Sequence, residues 1–278
     1  MARTNLSATR VKPADPGLIV LEVVRRERVS PHFMRVTLGR RDVRWFAAMG
    51  FDQWFRLFIP VAGGGVERVP RKLDAVSYVR YLTIAKAERP VMRNYSVRAY
   101  RAAGADGPEI DVDFVLHGSA ADGTAGPATG WAESCAPGDV VALLDEGIGF
   151  NPPDGLTRVR LVADETGLPA LAGILASLPR DARGDAFVEV PDAADRRELD
   201  APEGVAVSWV CRTGDAAPGV AVRAAAEAAL LPEEPFFGWV VGESALVAGV
   251  RRHWVRAGVP KRHIMFCGYW KAGRGAVT

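Results

Sequence analysis

Cysteine is scarce in this chain. There are three, Cys135, Cys211 and Cys267, among 278 residues. The number is odd, the spacing is wide and no CxxC occurs. A disulfide framework, a zinc site and an iron–sulfur cluster all need paired or closely spaced thiols, so none is supported. Structural thiols in a reducing compartment are what remains. Histidine is as sparse, with four, and His117 has no ligand partners at usable spacing, so no metal site is expected. Nowhere do 18 apolar residues run together, so no membrane span is expected. The opening MARTNLSATRVKPADPG lacks an apolar core after its charges and does not read as a secretory signal; a cytoplasmic monomer is expected. The net charge of +2 is too small to argue for nucleic acid. A G-x-G-x-x-G fingerprint is missing too.

What is present is an ordinary globular composition, 49% apolar and 24% charged, over a length that suits two domains. The first half reads as strands at 18–24, 33–38, 54–59, 110–116 and 140–144. In the clearest, Ile110, Val112, Phe114 and Leu116 alternate with Asp111, Asp113 and Val115. Only 128–135 in this half has room for a helix. Short strands between turn signals predict an antiparallel β-barrel. The second half alternates. Strands are expected at 159–162, 186–190, 205–210, 236–241 and 263–267, and helices at 168–178, 220–231 and 244–257. That pattern predicts a parallel α/β domain. The Gly/Pro stretch GIGFNPPDG at 147–155 marks the boundary, giving domains 1–152 and 153–278.

Three constellations carry possible chemistry. In RNYSVR, Arg93 can clamp a pyrophosphate, Tyr95 can lie against a flavin ring, and Ser96 can offer a small hydroxyl near its N5. On a strand Arg93 and Tyr95 share a face and Ser96 points opposite. By itself so short a motif reads more readily as a plain edge strand with solvated arginines. The second runs from Asp113 to His117 and then from Gly126 through Ala128, Thr129 and Trp131. Pro127 fits a first helical turn, whose free N–H groups suit an anion. An ordinary helix start and a packed histidine are the plain alternatives. The third is ADETGLPA at 163–170, a strand, a polar turn and a helix start, where a doubly wound sheet places a dinucleotide. Asp164 and Thr166 lie there, and WVVGE, ending at Glu243, is a second such junction. Arg212 could meet a 2′-phosphate or be a surface charge.

In order along the chain stand DQWFRLFIP, RPVMRNYSVR, DVDFVLHG, GPATGWA, PGD, ADETGLPA, WVCR, WVVGE and GYWKAG. Collinear and properly spaced, they resemble the siderophore-interacting protein family of FAD-dependent ferric-siderophore reductases, within the ferredoxin-reductase-like group. The resemblance implies a flavin-binding barrel and a C-terminal NADPH- or NADH-binding domain. It implies that Arg93, Tyr95 and Ser96 hold FAD, with Tyr95 and Ser96 nearest the chemistry, helped by His117, Ala128, Thr129 and Trp131. Tyr269 and Trp270 match an aromatic pair near the flavin. Arg56 falls where many members have Lys, and Lys271 where many have Arg; both would receive an anionic ferric-siderophore. Ala163 replaces the usual Gly, and Gly167 the usual Ala. The implied activity is reduction of Fe(III) to Fe(II) with release of the iron. A flavin reductase serving a protein partner and a non-catalytic ferric-siderophore carrier are the competing readings.

Overall fold

The protein is described by a computed structural model covering residues 4–61, 64–118, 125–214 and 216–273. It opens with a single helical turn, α1 (Leu6–Thr9). The chain forms two compact units. One holds Lys12–Met49 and Gln53–Gly147. The other holds the described residues from Ile148 on, together with Thr4–Val11 and Gly50–Asp52.

The first unit has seven antiparallel strands: β1 (Leu18–Ser30), β2 (Phe33–Gly39), β3 (Trp54–Ile59), β4 (Val91–Ser96), β5 (Ala99–Gly104), β6 (Gly107–Val115) and β7 (Val140–Gly147). Their order is β4-β3-β7-β1-β2-β6-β5. The edge strands β4 and β5 are joined by Val97 and Arg98 alone. In a flat sheet six strand spacings would separate them by about 29 Å, far beyond the reach of two residues. The sheet therefore curls until its edges meet, as a barrel does. Val97 N–H donates to the Gln53 carbonyl and Arg98 N–H to the Asp111 carbonyl, so the connector is bonded toward both edges. Leu21, Val36, Leu57, Val112, Phe114 and Leu143 fill the interior.

Two elements of this unit are absent from the sequence expectation. Helix α2 (Ala75–Leu82) lies between β3 and β4, and β5 reads AYRAAG. Valine and tyrosine are weak helix formers, so α2 carries little propensity signal. Its start is fixed by Asp74, whose side chain accepts from Ser77 N–H at 2.8 Å. Strand β5 has no β-branched residue and is held by pairing with β6. Helix α3 (Pro127–Ser134) falls where expected, with Pro at its first position.

The second unit is a parallel sheet of β8 (Arg158–Ala163), β9 (Arg183–Val190), β10 (Val205–Cys211), β11 (Phe237–Glu243) and β12 (Ile264–Trp270), ordered β10-β9-β8-β11-β12. The order reverses between β8 and β11, the switch point of a doubly wound sheet. Helix α4 (Leu168–Ser177) follows β8. Helices α5 (Val220–Ala228) and α6 (Ser244–Arg256) share one core with Val162, Val240 and Ile264. Asp52 ties its short segment into this unit. Its buried carboxylate accepts from Gly149 N–H, Phe150 N–H and Trp239 Nε1 at 2.8–3.0 Å. Burial pushes its pKa up, against those three hydrogen bonds. Among the described residues no helix is long and apolar enough to cross a membrane.

Candidate functional site

In the first unit, β4 places Arg93 and Tyr95 on the face of the interior cluster, which Val91 and Tyr95 flank. Asn94 and Ser96 take the other face. The register pairs Ser96 with Trp54 and Asn94 with Arg56, so Ser96 and Arg56 share that outer face. Arg56 is partly exposed and meets Glu146 at 2.7 Å. Arg93 donates only to its neighbour's carbonyl, Met92 O, at 2.8 Å. Among the described residues it has no ion pair, which is unusual for a half-buried guanidinium.

An aromatic row adjoins it. Tyr95 and Phe114 have ring centroids 4.3 Å apart, and Phe114 and Trp131 5.6 Å. Trp131 and Ala128 bring α3 against the same cluster, and Thr129 is buried within the helix. Gly126 precedes α3 in an extended conformation, and among the described residues no side chain caps its first amides. Burial raises the pKa of the Tyr95 phenol, so it stays protonated. The structure thus brings together Arg93, Tyr95, Ala128, Thr129 and Trp131. His117 is exposed just beyond β6, beside residues 119–124, which lie outside the described residues. Asp113 is not part of this group. It lies on the other face of β6 from Phe114, and Arg35 binds both its oxygens, at 2.7 and 3.0 Å.

These features fit a flavin dinucleotide. An unpaired guanidinium and uncapped helix amides suit a diphosphate, and the half-buried aromatic row suits a planar ring.

In the second unit the sequence-derived residues converge on the switch point. Asp164 ends β8 fully buried. One oxygen accepts from Thr166 N–H and Oγ1 at 2.9 and 2.5 Å. The other accepts from Glu243 N–H at 2.6 Å and Trp270 Nε1 at 3.0 Å. Gly242, at φ +119, is required there: a Cβ would meet the Asp164 carboxylate at 2.5 Å. Glu243 caps α6 by accepting from Ala245 and Leu246 N–H, and it also accepts from Ala272 N–H at 3.3 Å. Burial, then the neighbouring Glu165 charge, pushes Asp164 up. Tyr269 is half-buried on β12, and Lys271 is exposed just after it.

Arg212 proves to be neither a surface charge nor a free cation. It is 15% exposed and bound to Glu165 at 2.6 Å and Glu189 at 3.0 Å. Both partners were missed by sequence reasoning. Glu189 is buried, and it also caps α5 through Gly219 and Val222 N–H at 2.8 and 3.1 Å. A lone carboxylate inside the apolar run AFVEV was the available signal. Glu165 keeps one buried oxygen, Oε1, with no hydrogen-bond partner among the described residues. That orphaned acceptor suits a ribose or carboxamide donor. The paired Arg212 does not suit a 2′-phosphate. Among the described residues no cluster of His, Cys, Asp or Glu is placed to hold a metal ion.

An antiparallel barrel and a doubly wound parallel sheet make up a ferredoxin-reductase-like fold. Residues 22–148 match the siderophore-interacting FAD-binding domain and residues 156–273 the siderophore-interacting protein domain. The chain belongs to the siderophore-interacting protein family. It is 31% identical over 265 residues to the ferric vibriobactin reductase ViuB of Vibrio cholerae, covering 92% of this chain and 90% of that one. The NADPH-dependent ferric-chelate reductase of Escherichia coli is 28% identical over 255 residues, covering 91% and 92%. A siderophore utilization protein from T. fusca superposes with a TM-score of 0.77 at 32% identity, covering 97% and 98%.

Proposed function

We propose that this chain is a cytoplasmic, FAD-dependent ferric-siderophore reductase that draws electrons from NADPH or NADH and frees iron as Fe(II). The observation that carries the reading is the unpaired Arg93 beside Tyr95, in a unit matching a siderophore-interacting FAD-binding domain. The relatives named as ferric vibriobactin reductase and NADPH-dependent ferric-chelate reductase support the activity.

In this reading the FAD domain spans 1–152 and the NAD(P)H domain 153–278. Arg93 and the first amides of α3 bind the pyrophosphate, with Thr129 adding a hydroxyl. Tyr95 and Trp131 cover apolar ring surface and exclude water, with Tyr269 and Trp270 as further aromatic candidates. Ser96 offers a hydroxyl small enough to leave the reactive edge open. Asp164, Thr166, Glu243 and Arg212 hold the loop ends that frame the nicotinamide nucleotide, and Glu165 supplies the free acceptor. FAD, when bound, supplies the exchange between two-electron and one-electron chemistry. Arg56 and Lys271 receive the anionic siderophore, whose hard oxygen donors hold Fe(III) far better than Fe(II). No acid–base dyad is required.

The test is an anaerobic absorption titration of the purified, FAD-loaded protein. Flavin bands should bleach with NADPH or NADH and recover when a ferric-siderophore is added, with Fe(II) captured by a chelating dye. A protein that takes up no FAD, or whose bleached bands ignore the ferric-siderophore, sinks the proposal.

A further inference from the structure

Strands β3 and β4 are antiparallel neighbours, and two residues suffice to join such a pair. Here residues 60–90 join them, a stretch of 31 residues that carries α2. Connections beyond about 15 residues are uncommon in compact domains and tend to carry function. This one concentrates charge. Six of its residues are basic and three acidic, a net of +3 against +2 for the whole chain.

Tyr78 and Tyr81 fasten α2 to the barrel beside Phe58 and Met92. A helix packed on one face normally shows polar residues on the other. Here the outward arc is aliphatic: Val76 is 73% exposed, Val79 60% and Leu82 44%. At 100° per residue these three side chains span about 120° of the helix. Arg71, Lys72, Arg80 and Lys86 lie within and on both sides of α2 in the sequence, all exposed. None of the four is held in an ion pair among the described residues.

Three aliphatic side chains cannot supply the roughly 800 Å² per partner that stable protein pairs bury. A bilayer asks for less: a short apolar arc reaching the acyl boundary, with cations on flexible stems over anionic headgroups. We propose that α2 and its basic flanks dock this protein on the surface of an anionic phospholipid bilayer. The contact is peripheral and reversible, and it involves none of the residues assigned to FAD, nucleotide or siderophore.

Sedimentation of the full-length, FAD-loaded protein with sucrose-filled vesicles tests this. Phosphatidylcholine vesicles are compared with phosphatidylcholine–phosphatidylglycerol vesicles at low and high salt. Pelleting should require phosphatidylglycerol and weaken with salt. Lys72→Gln with Arg80→Gln should weaken partition about fivefold for each cation removed. Val76→Ser with Val79→Ser should remove the binding that survives high salt. Flavin absorbance and NAD(P)H oxidation in solution should be unchanged in both variants, which also shows that they fold. Equal pelleting with both vesicle types, or none with either, overturns the proposal. So does a concentration-dependent dimer that Val76→Ser and Val79→Ser abolish, which would give this face to a second copy of the chain.

Discussion

Ala163 and Gly167 are the two departures from the family pattern in the turn after β8, and the structure relates them. A Cβ added at Gly167 would stand 2.8 Å from the Ala163 Cβ and 2.5 Å from Val241 Cγ2. The space between β8 and the start of α4 holds one methyl group, and this chain carries it on the strand. Gly167→Ala alone should cost about 1–3 kcal/mol by overpacking. Ala163→Gly alone should cost roughly 1 kcal/mol in chain freedom. The double variant should lose less than the sum, because Ala163→Gly relieves one of the two close approaches while Val241 remains. Urea unfolding of the four proteins measures this, and strictly additive losses would refute the shared-space account. From the letters alone the two positions looked like independent departures. Contact across a strand–turn–helix junction is a distance, and sequence does not carry it. The same holds for Arg212, whose neighbours in space, Glu165 and Glu189, are far from it in the chain.

The outer face of β6 shows what an element adds to its residues. The alternation of Ile110, Val112 and Phe114 with Asp111 and Asp113 was legible and set the strand correctly. That the acidic row would be buried was not legible, because its partners come from three other strands. Glu109 is held by Arg25 and Arg101, Asp111 by Arg101 and Thr37, and Asp113 by Arg35. The Arg25 hydrogen bonds, opposed by burial and aided by Arg101, lower the pKa of Glu109. For Asp111 burial pushes upward, but the Arg101 and Thr37 hydrogen bonds outweigh it and the net shift is down. Carboxylates depressed in the folded state add stability above their unfolded values, about 4, and lose it as pH falls through the folded values. The stability this network supplies should therefore hold from about pH 8 to about 5 and drop below about pH 4. Arg101→Met should lower stability at pH 7 by about 1–2 kcal/mol and flatten the acid drop. The figure lies under the 3–5 kcal/mol of a fully buried pair because Arg101 is 36% exposed. Melting curves across this range decide it, and a variant with an unaltered acid drop would exclude the network as its cause.

At the scale of the molecule, the strands first and the strand–helix alternation after them were enough to expect a barrel and a doubly wound sheet. Collinear motifs were enough to expect the family. The assignment of Gly50–Asp52 to the second unit was not readable, since it rests on contacts distant in the chain: the Asp52 carboxylate gathering two amides and an indole, Phe51 N–H donating to Ser177, and the Phe51 ring stacked on Phe150. Each unit has its own core, around Leu57 and Phe114 in one and around Val240 and Trp254 in the other. A ligand held only by the folded first unit must stabilise that unit in particular, by about 2.7 kcal/mol at a hundredfold excess over its Kd. Stripping FAD and then restoring it during scanning calorimetry should therefore move one transition, upward with the logarithm of FAD concentration, and leave the other in place. The transitions can be assigned independently, because Arg101→Met perturbs the first unit and Gly167→Ala the second. Arg93→Gln should shrink the shift by removing the guanidinium beside Tyr95, which no carboxylate holds among the described residues. If FAD moves the transition that responds to Gly167→Ala, or moves neither, the flavin does not sit where Arg93 and Tyr95 place it.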